Sequence, residues 1–149
     1  MGFFSALHAS ASALTAQRLR MDIISENIAN VNTTRTEEGT PYRRKTVIFE
    51  AQQGNTPFSA YLSSVSKKLI SNGNGGVRVS AIVEDQTPFK SVYDPGHPDA
   101  DENGMVQMPN VDVVTEMVNL ISASRAYEAN ITSIEVTKSM ALKALEIGR

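Results

Sequence analysis

The run Asp99-Ala-Asp-Glu-Asn-Gly104 places oxygen-bearing side chains at alternate positions before a glycine, the D-x-[DN]-x-[DN]-G opening of an EF-hand calcium loop. The loop does not continue as one. Its twelfth position, where a bidentate glutamate belongs, is Asn110 directly after Pro109, and the preceding "YDPGHP" cannot be an entering helix. An acidic surface turn built on Asp99, Asp101 and Asn103 is the simpler reading, with a calcium-dependent binding module as the alternative. His8 and His97 are the only histidines and lie on separate segments; cysteine is absent, which removes thiolate nucleophiles, thiolate metal sites and disulfides together. His8 reads as a surface helix residue and His97 as a loop residue between two prolines. No P-loop, Gly-x-Ser-x-Gly or dinucleotide fingerprint occurs, and no nucleophile–base pair supports a small hydrolase. The expectation is therefore no catalytic residue, no cofactor, no metal and no small-molecule substrate. Arg43, Arg44 and Lys45, with Lys67 and Lys68 elsewhere, could meet phosphate, but the net charge is -2 and no nucleic-acid reader motif is present. A charged strand edge or a protein interface fits that run better than nucleic acid.

Long helices dominate the rest of the 149 residues. Phe4, Leu7, Ala11, Leu14, Arg18, Met21, Ser25 and Ile28 alternate steps of three and four, the heptad spacing of a helix–helix seam, with Arg18 and Ser25 as polar interruptions. Val113, Met117, Leu120, Ser124, Tyr127, Ile131, Ile134, Lys138, Ala141 and Leu145 repeat that spacing at the other end. Asp112 offers a cap or first-turn carboxylate to the second helix, and Gly148 a C-terminal cap. At about 1.5 Å per residue the helices would be roughly 40 and 50 Å long. The N-terminal stretch has no basic region before an apolar run and reads neither as a cleaved signal nor as a membrane span. Ala6 breaks the myristoylation pattern that Met-Gly opens.

Between the helices the texture changes. "RRKTVIFEAQ" and "GVRVSAIVED" are rich in β-branched residues and roughly alternate, as half-buried strands do; "SNGNGG" (71–76) and "YDPGHPDADENG" (93–104) read as turn and loop. The plan is α+β: long N- and C-terminal helices that pack on each other, with a β-rich central insert. The junction is "NIANVNTTRT", where Asn27, Asn30 and Asn32 crowd the helix end. Asn and Thr side chains bond nearby backbone, so this is a helix end passing into a polar connector. Whether it is only a solvated cap or a loop used in specific contacts stays open. Helices of this length outreach a small insert, and their surplus apolar surface, including Val114, Val118, Ile121 and Val136 off the seam, calls for partners in other molecules. An interaction protein is the stronger reading.

"NIANVNTTRT", "PYRRKTVIFE", "YDPGHPDADENG", "PNVDVVTEMVNLISASRAYEANI" and "KALEIGR" together resemble the bacterial flagellar basal-body rod protein family, and within it the short proximal-rod subunits. The likeness runs over both ends and much of the middle, and is least distinctive over about 52–74. Met105 stands where members often carry an aromatic and Thr40 where they often carry a second glycine, both in loops. The resemblance implies a structural protein without catalytic activity, exported by the flagellar type III apparatus without a cleaved signal. It would polymerise in the rod that crosses the periplasm. The terminal helices would pair as an antiparallel coiled coil in a discontinuous inner-tube domain (1–33 and 110–149), with a β-rich domain outside (34–109). Expected partners are the chain itself, other rod proteins and the export apparatus, with the membrane-ring and rod-adapter proteins as further candidates. The expected assembly interface comprises Leu7, Leu14, Met21, Asn27, Ile28, Asn30, Asn32, Val113, Met117, Leu120, Tyr127, Ile131, Ile134 and Leu145.

Overall fold

The computed structural model describes residues 3–52 and 75–147. Lys67, Lys68, Gly148 and most of the 71–76 turn lie outside the described residues. Helix α1 runs over Phe3–Ala29 and α2 over Val113–Ile147. Neither contains proline or glycine, and both are rich in alanine and straight-chain residues, so propensity and pattern agree. At the end of α1 the Asn30 amide donates to the Glu26 carbonyl (3.0 Å) and the Thr33 hydroxyl donates to Asn30 Oδ1 (3.1 Å), which covers groups the last turn leaves unpaired. At the start of α2 the Asp112 carboxylate accepts from the Thr115 amide at 3.3 Å and from the Thr115 hydroxyl, a side-chain N-cap.

The two helices pack on each other and run antiparallel. Asn27 bonds Glu116 at one end and Ser10 meets Ser133 at the other, so the pairs lie 17 residues apart on both helices (10 to 27, 116 to 133), a common run of about 25 Å. In that register Phe3 comes level with Met140, and the turns from Ala141 to Ile147 project past the start of α1. The buried residues of α1 are Ala16, Ile23, Ile24 and Asn27, while Phe4, Ala11, Arg18 and Ser25 of the heptad spacing are exposed. The covered stripe is rotated off the predicted seam because α1 is packed from two sides, by α2 and by a strand ribbon.

That ribbon pairs β1 (Lys45–Ala51) antiparallel with β2 (Val77–Glu84), with a bulge at Ser80 opposite the Ile48–Phe49 step. Both strands fall where the alternating sequence predicts them. Lys45 sits beside Asn27, and at the far end the Val77 amide donates to Ser12 Oγ (3.1 Å). Seven steps of about 3.3 Å along β2, from Glu84 opposite Lys45 to Val77, thus match fifteen helix steps of about 1.5 Å from Asn27 back to Ser12, and the ribbon lies along α1. A second ribbon pairs β3 (Lys90–Tyr93) with β4 (Met105–Met108), which the sequence reading left unassigned on either side of its loop. Gly104 closes that loop at φ +72°, and a Cβ there would lie 3.0 Å from the Tyr93 ring. Val106, Pro109 and Val111 are buried where this hairpin meets the rest of the chain. Among the described residues the insert is thus two separate two-stranded ribbons, consistent with α+β.

Candidate assembly surface

A buried polar junction fixes how the insert sits on the helices. Asn27 is 0% exposed and Glu116 1%. Asp85 N–H bonds the Arg44 carbonyl, so in the alternating antiparallel ladder Lys45 turns its own N–H and C=O away from β2. Asn27 meets both: Oδ1 accepts from Lys45 N (2.9 Å) and Nδ2 donates to Lys45 O (2.9 Å), as an adjacent strand would. The same amide accepts from the Tyr42 hydroxyl (3.0 Å) and donates to Glu116 Oε2 (3.0 Å). On the other side of Glu116, the Arg44 guanidinium donates to Oε1 from Nε (2.9 Å) and lies 2.8 Å away through its terminal nitrogen. Arg44 also reaches Asp85 (3.3 Å), and Asn110 accepts from the Arg44 amide (2.8 Å) while donating to the Asp85 carbonyl (3.0 Å). Lys45 pairs with Glu26 at 2.6 Å.

The electrostatics follow the geometry. Burial pushes the Tyr42 phenol well above its usual range, with the Glu26 charge adding to it. Burial would lower the Arg44 guanidinium, but the bonds and charges of Glu116 and Asp85 outweigh it and hold the group more firmly protonated. Asp85 is held below the usual carboxylate range, first by the Thr87 amide that donates to it and then by the Thr87 hydroxyl and Arg44. Every strong donor at this junction has an acceptor inside the chain, so it is structural in chemistry. Sequence reasoning placed Arg43–Lys45 at an edge or interface; Arg44 and Lys45 instead close an internal network, and Arg43 stacks 4.4 Å from the Phe89 ring. The signal that was missed is Glu116, an acidic residue inside an apolar spacing.

The outward side of α2 has the opposite character. Val114, Met117, Val118 and Ile121, spaced as one helix face, are between 52 and 70% exposed. Leu145, 74% exposed on the overhang, has no α1 beside it; Leu142 is exposed there too, as is Met140 just before it. Of the predicted interface residues, Leu7, Leu14, Met21, Ile28, Val113, Leu120, Tyr127 and Ile134 are half-buried, while Met117, Ile131 and Leu145 are exposed. Asn30 is half-buried, Asn32 is exposed, and Asn27 is wholly inside the subunit with its amide fully used. In this chain Asn27 has no surface to offer a neighbour.

The acidic loop is tied into the connector rather than left free: the Thr34 hydroxyl donates to Asp99 Oδ2 (2.8 Å), and the Asp99 amide donates to His97 Nδ1 (3.1 Å). Among the described residues no group of three or more histidines and carboxylates converges as a metal site would, and no described helix is long and apolar enough to cross a membrane.

Two family models match. Residues 7–35 match "Flagella basal body rod protein", and residues 102–147 match "Flagellar basal body rod FlgEFG protein C-terminal". The chain is 50% identical to the flagellar basal-body rod protein FlgC of Bacillus subtilis over the full length of both. It is 51% identical to FlgC of Borreliella burgdorferi over 99% of this chain and 98% of that one. It is 42% identical to FlgC of Salmonella typhimurium over the full length of both. The helix-end connector, the exposed apolar face and the terminal helix pair thus sit in a full-length match, and the chain belongs to the FlgC family of flagellar basal-body rod proteins.

Proposed function

We propose that this chain is a structural subunit of the proximal rod of the bacterial flagellum, exported by the flagellar type III apparatus and joined to its neighbours through its terminal helices. It works by stiffness and contact geometry, without catalysis, within the drive shaft that carries torque across the periplasm to the hook. The observation that carries the reading is the apolar face Val114–Met117–Val118–Ile121, together with exposed Leu142 and Leu145 on the overhang, in a chain matched end to end by rod proteins. Heterologous contacts that do not close on themselves build a helical tube, and helix faces of this kind supply them. Docking would complete the ordering of the helices, which keeps the free subunit from polymerising early. Neighbours would be other copies, other rod proteins and, at the base, ring or adapter proteins. The test is electron microscopy of basal bodies from a strain lacking the chain: the rod should be missing above the ring and return with the wild-type gene. Complete rods in the deletion strain would refute the proposal.

A further inference from the structure

One cation of α1 has no counterpart inside the chain. Arg20 is half-buried in a cleft of about 210 Å³ between α1, β1 and α2, walled by Ile23, Ile24, Val47 and Phe49. Two other cations reach that cleft and both are already paired, Arg44 with Glu116 and Asp85, and Lys45 with Glu26. Three and four residues from Arg20 stand Ala16, Gln17, Ile23 and Ile24, so its own helix supplies no carboxylate. Among the described residues its one partner is the Phe49 ring, 6.0 Å from the guanidinium carbon and at the outer limit of a cation–π approach. The other unpaired cations of the two helices, Arg18, Arg125, Lys138 and Lys143, stand on open surface.

The complementary group lies on α2. Val114, Ile121, Glu128 and Glu135 recur every seven residues and form one slowly turning exposed strip, apolar at its first two positions and acidic at the next two. Glu128 follows Ile121 by about 10 Å, so an interface that covers Ile121 reaches Glu128 as well. A carboxylate taken into such an interface needs a countercharge, and a guanidinium held between apolar walls meets one through paired hydrogen bonds. We infer that the Arg20 cleft receives the Glu128 carboxylate of a neighbouring copy of this chain. Cleft and strip are different patches of the subunit, so the contact is heterologous, the kind that extends an assembly from copy to copy. The inference rests on the rod reading and adds to it the pair of side chains that decides which surface of one copy meets which surface of the next.

Cysteine is absent, so two full-length single-cysteine chains with different tags can be expressed together, one carrying Arg20→Cys and the other Glu128→Cys. A short bismaleimide applied to isolated basal bodies should give a product bearing both tags, at least tenfold more than when Glu135→Cys replaces Glu128→Cys. Arg20→Gln should reduce spreading on soft agar while its monomer melts within about 2 °C of the parent, because no ion pair inside the chain is lost. Arg20→Glu and Glu128→Arg should each reduce spreading, and the two together should recover most of it. Incorporated chains that give no more product than the Glu135→Cys control, normal spreading of Arg20→Gln, or a secreted double variant no better than either single one would overturn the pairing and leave the rod reading standing. Chains absent from basal bodies would overturn both.

Discussion

Replacing Asn27 by alanine should unsettle the free subunit itself. The substitution removes four hydrogen bonds from a side chain with no exposed surface. Glu116 retains Arg44, so its loss is partial. The Lys45 N–H, the Lys45 carbonyl and the Tyr42 hydroxyl lose the partner that met them on that side. Each buried group left unpaired costs roughly 1–3 kcal/mol, and the carboxamide-sized gap that remains allows some relaxation or water entry. The low half of that range applies, about 3–5 kcal/mol in all. Against a total stability of roughly 5–15 kcal/mol this is a large fraction, and at about 2–4 °C per kcal/mol it lowers Tm by about 10 °C. Urea unfolding of the monomer, followed by far-ultraviolet circular dichroism, measures it directly. Asn27→Asp should be no better at neutral pH, because it loses the donor and sets a second carboxylate against Glu116. A loss of about 1 kcal/mol or less for Asn27→Ala would equal an ordinary helix-end cap and refute the buried-junction account.

Other expectations follow from individual sites. Gly104→Ala should cost about 1–2 kcal/mol, since the residue sits at φ +72° against the Tyr93 ring; a neutral thermal melt would count against the hairpin closure described above. The Asp112 carboxyl is held below its usual 3.8 by the Thr115 hydroxyl and amide. A depressed folded-state value stabilises above the unfolded pKa and loses that contribution as pH falls through the folded one, so acid below about pH 4 should loosen the start of α2. Asp112→Asn should weaken this part of the acid dependence, and an unchanged profile would contradict it. The Asn30→Ala/Asn32→Ala variant should leave a secreted, folded monomer that fails to build rods; normal rods would return this stretch to a plain helix end. Leu120→Asp should likewise abolish assembly while Glu135→Gln on the exposed side should not, which motility on soft agar separates.

The elements legible in the sequence were those with a repeating pattern long enough to outvote local exceptions. Steps of three and four located both helices, and β-branched alternation located β1 and β2. The rotation of the helices was not legible, because heptad spacing assumes one partner and α1 has two. Phe4 and Ser25 satisfy the spacing and face outward; Ala16 and Ile24 lie off it and are buried. Arg44 looked like part of a surface cluster because its countercharge, Glu116, lies 72 residues away and only the antiparallel fold brings them together. The β3–β4 hairpin was missed because four-residue strands around an eleven-residue, proline-punctuated loop carry too little pattern to register. The outward apolar face of α2 was legible as surplus: more Val, Ile and Met than one seam could absorb.

The central claim, that this outward face is buried against neighbouring subunits in the rod, is open to one direct measurement. In a chain without native cysteine, Ile121→Cys and Glu102→Cys can each be labelled with a maleimide, in the purified monomer and in isolated basal bodies. Both positions are exposed in the subunit, so both should react in the monomer. In basal bodies Ile121→Cys should become at least tenfold slower while Glu102→Cys, in the loop of the hairpin, keeps its reactivity. Equal labelling of Ile121→Cys in monomer and basal body, with the variant incorporated and motile, would contradict the account.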